Sequence, residues 1–128
     1  MIPIVQGVEA VHALTVDSDT TELILGAPAS YWLDLREYEP LTVALEFPNP
    51  ILFLQGERDY QVTMVDFANW QEALSEQDNV TFISYPALNH LLMAGEGESN
   101  AMEYFTPGYM DGAIISDIAE WIFANSAE

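Results

Sequence analysis

Residues 50 to 62 read PILFLQGERDYQV. An apolar run through Leu54 reaches Gly56, passes an acid, base, acid cluster at Glu57, Arg58 and Asp59, and returns to an apolar residue at Val62. So unbroken an apolar run fits a strand covered on both faces, as in a parallel sheet. Asp59 then falls just past the point where such a strand leaves its sheet, which is where open α/β folds place their working side chains. Asp59 is therefore a candidate for chemistry.

The sequence on either side supports a parallel sheet. Downstream, Thr63 and Asp66 form a Ser/Thr-x-x-acid capping box that opens the helix MVDFANWQEALS, whose Phe67, Trp70 and Leu74 share one face. Asp78-Asn79 makes a turn into a second strand, VTFISYP. After a long loop and a Pro107-Gly108 breaker comes the helix GAIISDIAEWIF, in which Ile114, Ile115, Ile118, Trp121 and Ile122 follow the spacing of a buried face. Strand, helix, strand, loop, helix over residues 48 to 123 is the pattern of a right-handed βαβ unit. Residues 1 to 47 differ: VEAVHAL and PASYWLDLREYEPLTVALEF read as short helices and loops. Tyr31, Leu35 and Tyr38 stand at helical spacing there, and Pro28 and Pro40 suit first-turn positions.

A partner for Asp59 follows from the topology. His12 and His90 are the chain's histidines, and His90 lies in YPALNHLL, directly after the second strand. Two neighbouring parallel strands thus each deliver a catalytic-type side chain to the same sheet edge. In an orienting pair of this kind the carboxylate fixes the imidazole tautomer and stabilises the imidazolium. His12 has no comparable context and reads as structural. Glu96 and Glu98 in GEGES lack the alternating oxygen ligands of a calcium loop, so they read as a solvated loop and no metal or other cofactor is expected.

Composition narrows the classes further. The chain has 128 residues, 21 of them acidic and two of them basic, Arg36 and Arg58, for a net charge of -19. A surface of that sign repels phosphate, so neither nucleic acid nor an anionic membrane is expected as a partner. The acids are scattered, which suits solvation better than recognition. Molar salt, with a Debye length of about 3 Å, screens such self-repulsion, so a halophilic source is expected. With no cysteine, disulfides, thiolate zinc sites and cysteine nucleophiles are excluded. The start MIPIVQGVEAVHAL has no basic region and no long apolar core, and nothing approaches the roughly 20 apolar residues of a membrane span, so the expected location is cytoplasmic.

At this point the residues carry a resemblance. PILFLQGERDYQV and LNHLL resemble the acid-loop and histidine-loop segments of α/β-hydrolase fold enzymes, closest to dienelactone-hydrolase-like and acyl-peptidase-like serine hydrolases. The pattern of Gly56, Asp59 and Val62, the strand spacing and the order of acid before histidine carry it. GAPASYWLDLREYEP resembles the segment entering the core from the lid, so the resemblance covers roughly residues 28 to 123. It implies a partial α/β-hydrolase fold: a helical lid-like segment at 1–47 and the carboxy-terminal βαβα portion of the core at 48–128, with the last two core strands as a small parallel sheet flanked by helices. It also implies Asp59 as triad acid and His90 as triad base, acting on a small-molecule ester or peptide, with Tyr31 and Trp32 of the lid among the residues that choose it.

The family's pattern breaks at the nucleophile. A nucleophile elbow needs Gly-x-Ser-x-Gly on a tight strand-to-helix turn, and Ser18, Ser30, Ser75, Ser84, Ser99, Ser116 and Ser126 stand in no such setting. The glycine-rich oxyanion loop is absent too. The leading expectation is the carboxy-terminal fragment of a serine esterase or peptidase, inactive alone and needing an amino-terminal half that supplies the serine. The alternatives are a non-catalytic interaction module on a hydrolase-derived scaffold and an acidic decoy for a basic protein. A two-stranded sheet with an open apolar edge also favours pairing with another chain, so a homo-oligomer is expected when the chain is alone.

Overall fold

The computed structural model describes residues 4–15, 17–18 and 23–126. The remaining positions of the expected 1–47 and 48–128 segments lie outside the described residues. The chain divides into two compact units, residues 1–40 and 41–128.

The first unit holds α1 (Ile4–His12) and α2 (Ala29–Glu37). Its core is Leu14, Ile24 and Ala29, with Ala10, Val11, Trp32 and Leu33 packed against them. Between the helices the chain reverses at Leu25 and Gly26, both with positive φ, 51° and 90°. The Trp32 indole donates to the Ile24 carbonyl at 2.8 Å, which fastens α2 to that reversal. Arg36 donates to the Leu14 and Val11 carbonyls at 3.1 and 2.6 Å. Carbonyls at a helix end have no intrahelical partner, and a cation there also meets the negative end of the dipole. Tyr31, Leu35 and the C-cap residue Tyr38 fall on one side of α2 and are about half exposed.

The boundary between the units falls at the first residue of α3 (Pro40–Glu46), which buries none of its residues. The second unit continues with β1 (Ile51–Gly56), α4 (Met64–Ala73), β2 (Val80–Tyr85), a 3-10 turn at Ala101–Phe105, and α5 (Gly112–Asn125). β1 and β2 pair in parallel with Phe53 opposite Phe82 and Gly56 opposite Tyr85. This is an α/β unit built on a small parallel sheet. Side chains alternate across a strand, so Phe53 and Phe82 share the face that α4 covers. Their rings stack at 4.8 Å, Phe53 meets Trp70 at 5.0 Å and Phe82 meets Phe67 edge-on at 5.5 Å. Thr81 and Tyr85 point to the opposite face, where α5 lies. The Trp121 indole donates to Thr81 Oγ1 at 3.1 Å, and the Tyr85 hydroxyl donates to Asp117 at 2.5 Å. Burial and the Asp117 carboxylate push the Tyr85 phenol up to about 12.

Local chemistry sets the helix starts. The capping box at α4 forms as expected: the Thr63 hydroxyl accepts from Val65 N and Asp66 accepts from Thr63 N at 2.8 Å. Asp111 caps α5 through Ala113 N at 2.9 Å. Along α5 the buried stripe is narrower than its apolar spacing implies. Ile114 is fully buried and Trp121 partly, whereas Ile115 and Ile122 are exposed, as is Phe123. These three form a second apolar flank on the helix, and no other described element of the second unit covers it. Every residue of β2 is likewise only partly buried, because a two-stranded sheet has no interior strand. Among the described residues no helix is long and apolar enough to cross a membrane.

Candidate active site

The site forms where the carboxyl ends of β1 and β2 emerge side by side. β1 stops at Gly56, and a Cβ there would stand 2.5 Å from the Leu88 carbonyl and 2.7 Å from that of Asn89. Only a glycine lets the histidine loop pass so close to the strand end. Just beyond, Glu57 N donates to the Tyr85 carbonyl at 2.9 Å and Arg58 N to that of Leu88 at 3.0 Å. The two loops are therefore sewn together by backbone before any catalytic-type side chain is placed.

Asp59 and His90 meet across that seam. Asp59 Oδ2 lies 2.7 Å from His90 Nδ1, and Asp59 Oδ1 accepts from the Gln61 and Val62 amides at 2.8 and 3.0 Å. The carboxylate is 7% exposed and the imidazole 39%. Burial pushes the Asp59 carboxyl upward, but the Val62 amide, the His90 ring and the Gln61 amide together outweigh it and hold Asp59 below its ordinary range. Asp59 is thus ionised near neutrality and can only accept, so Nδ1 carries the proton of this bond. Nε2 is left as the basic nitrogen of the neutral ring, and it has no hydrogen-bond partner among the described residues.

Behind the pair stands a polar network that composition and spacing did not single out. Asn89, 2% exposed, turns the histidine loop by accepting from Leu91 N and Met93 N at 3.0 and 3.2 Å. Its amide donates to Glu103 at 2.9 Å, and Glu103 also pairs with Arg58. Arg58 donates further to the carbonyls of Gly97, Glu96 and Ala87 at 2.7, 3.1 and 3.3 Å. Asn89, Ser99 and Arg58, together stronger than the opposing effect of burial, hold the Glu103 carboxyl below its ordinary value. A signal for Arg58 was present in the sequence, since a lone cation beside a candidate carboxylate in so acidic a chain asks for a partner. Nothing distinguished Glu103 from the other acids.

The other sequence candidates take no part in the Asp59–His90 bond. His12 ends α1 in the first unit and is exposed. Trp32 belongs to the core of that unit. The Glu96 and Glu98 side chains are exposed, and no group of metal-ligating side chains occurs among the described residues. The serine hydroxyls of the second unit are engaged locally: Ser84 donates to Glu57, Ser99 to Glu103, and Ser75, Ser116 and Ser126 to carbonyls of their own helices. None of them contacts His90.

These residues define an acid–imidazole pair at the carboxyl edge of a parallel sheet, with one ring nitrogen committed and the other open. A curated protein from Thermotoga maritima, named Esterase EstD, is 44% identical to the chain over 101 residues, which is 79% of this chain and 24% of that protein. The chain thus spans about a quarter of the relative it matches. In a chain of 128 residues a matched stretch of 101 takes in both Asp59 and His90 wherever it starts. No protein-family model matches the chain, and no solved structure does.

The depressed Asp59 carboxyl makes a prediction about acid stability. A group whose folded value lies below its unfolded one contributes stability above the unfolded value, near 3.8, and loses it as pH falls through the folded value. Asp59→Asn should therefore be less stable than wild type at pH 7, by about 1–3 kcal/mol for a charge-assisted bond. That gap should narrow steadily below about pH 4. Urea unfolding of both proteins from pH 7 to pH 2.5 checks this, and a gap that stays constant contradicts it.

Proposed function

We propose that the chain is the acid and histidine portion of a serine esterase of the α/β-hydrolase fold, with Asp59 as the orienting acid and His90 as the general base. The observation that carries this reading is the open Nε2 of an imidazole whose Nδ1 is held by a buried carboxylate. Similarity to part of a protein named an esterase supports the ester as substrate over the peptide.

In the reaction a serine from the remainder of the enzyme attacks the ester carbonyl. His90 Nε2 takes the serine proton as the new C–O bond forms and returns it to the departing alkoxide. Asp59 stabilises the imidazolium between these steps without itself becoming protonated. The acyl group then leaves the serine by the same sequence with water as nucleophile. The chain alone supplies the base and its orienting acid, without the nucleophile or oxyanion donors that provide much of the rate.

The apolar surfaces support the same reading. β2 has no fully buried residue, α3 buries none, and the Ile115, Ile122 and Phe123 flank of α5 is uncovered. In this reading the rest of the sheet and its helices cover them in the whole enzyme, and in isolation a second copy does.

Two experiments test the proposal. The matched stretch of this chain is grafted in place of the corresponding quarter of the Thermotoga esterase, and hydrolysis of a p-nitrophenyl ester is followed. A folded chimera should turn over substrate, and Asp59→Asn or His90→Ala should lower kcat by up to about 10⁴-fold. The isolated chain should show no more hydrolysis than its own His90→Ala variant. Folded chimeras that are inactive, or active without His90, contradict the reading. Sedimentation equilibrium of the isolated chain should give a mass above the 14.3 kDa of one copy, and a monomer at every concentration contradicts the account of the uncovered faces.

A further inference from the structure

The 3-10 turn at Ala101–Phe105 buries none of its residues, and its apolar Met102 and Phe105 are 70% and 80% exposed. Packing therefore does not explain why it lies where it does. Its polar contacts do. Glu103 accepts from the Arg58 guanidinium with one carboxylate oxygen, and with the other from Asn89 Nδ2 at 2.9 Å and Ser99 Oγ at 3.0 Å. The neighbouring Tyr104 accepts from Gln61 Nε2 at 2.9 Å and stacks on Tyr60 at 6.1 Å. Asn100 starts the turn by accepting from Met102 N at 2.9 Å.

The places these contacts reach matter most. Arg58 and Tyr60 flank Asp59, and Gln61 supplies one of the amides that hold its carboxylate. Asn89 precedes His90 and turns its loop. The turn thus grips the acid loop at residues 58, 60 and 61 and the histidine loop at 89, from a third segment that belongs to neither. The 2.7 Å contact between Asp59 and His90 depends on two loops keeping their separation, and a carboxylate bonded to both is a strut of fixed length between them.

We propose that the Ala101–Phe105 turn braces the Asp59–His90 pair, with Glu103 as the positioning residue that bridges Arg58 and Asn89. This deepens the reading of Asp59 and His90 as a working pair and rests on it. Glu103 touches neither the reacting atoms nor His90 itself. It acts by holding both loops, and the charge-assisted bonds at either end make the strut stiffer than a neutral bridge of the same shape.

The test reads the geometry directly in the intact chain. At low temperature the proton between His90 Nδ1 and Asp59 should give a downfield NMR resonance that is absent from His90→Ala. Glu103→Ala should abolish it while near-UV circular dichroism shows the aromatic core intact. Tyr85→Phe, which removes a hydrogen bond to α5 on the opposite face of the sheet, should leave it in place. If Glu103→Ala does not fold, Glu103→Gln, which keeps the volume and removes the charge, is read in the same way. A resonance that persists without the Glu103 carboxylate overturns the proposal. Equal loss in Tyr85→Phe does so too, since it marks general loosening, and so does a wild type that lacks the resonance. None of these readings needs turnover, so an inactive chimera and a failed brace are told apart.

Discussion

Arg58 is the single cation of residues 41–128, and the arrangement around the sheet edge depends on how it is held. Its side chain is 9% exposed, paired with Glu103 and bonded to three backbone carbonyls. A guanidinium buried that far needs those partners, because removing them leaves an uncompensated charge away from water. Its planar fork of donors can reach several carbonyls at once, which a lysine ammonium could not match in geometry. Gly95 makes room for it, since a Cβ at that position would strike the guanidinium. The loops at both strand ends, the 88–97 segment and the 3-10 turn thus converge on one charge.

The consequence is an acid–imidazole pair whose two loops are fixed by their own hydrogen bonds. Asp59 is held on three sides, by two amides and the imidazole, so the acceptor that His90 Nδ1 meets is fixed in place. In the proposed role, preorganisation of this kind would let a general base act without rearranging its surroundings. The uncovered flank of α5 and the partly exposed strands meet the same description from the other side. A parallel α/β sheet buries both faces of its strands, whereas every residue of β2 here is only partly buried.

The sheet and its nearest helix were legible because their signals are local. An apolar run ending at Gly56, a capping box at Thr63 and Asp66, and a turn at Asp78-Asn79 each act within a few residues, and β1, α4 and β2 start within a residue of where those signals put them. The meeting of Asp59 and His90 was legible for a topological reason, since parallel neighbours deliver their following loops to one edge. The brace was not. Glu103 is one of 21 acids, its turn is too short for a periodic pattern, and its partners are distant in sequence. Ile115 and Ile122 show the opposite limit: spacing identifies an apolar face without saying whether anything covers it. Arg36 is a quieter case, closing α1 from the far end of α2.

The central claim is that Asp59 fixes His90 as the tautomer with its proton on Nδ1 and its lone pair on Nε2. Long-range proton–nitrogen NMR of the intact chain, labelled at histidine and recorded with the ring neutral, reads both ring nitrogens directly. The account predicts a protonated Nδ1 and a bare Nε2 at His90, with the pattern lost in Asp59→Asn. A neutral His90 carrying its proton on Nε2 contradicts it.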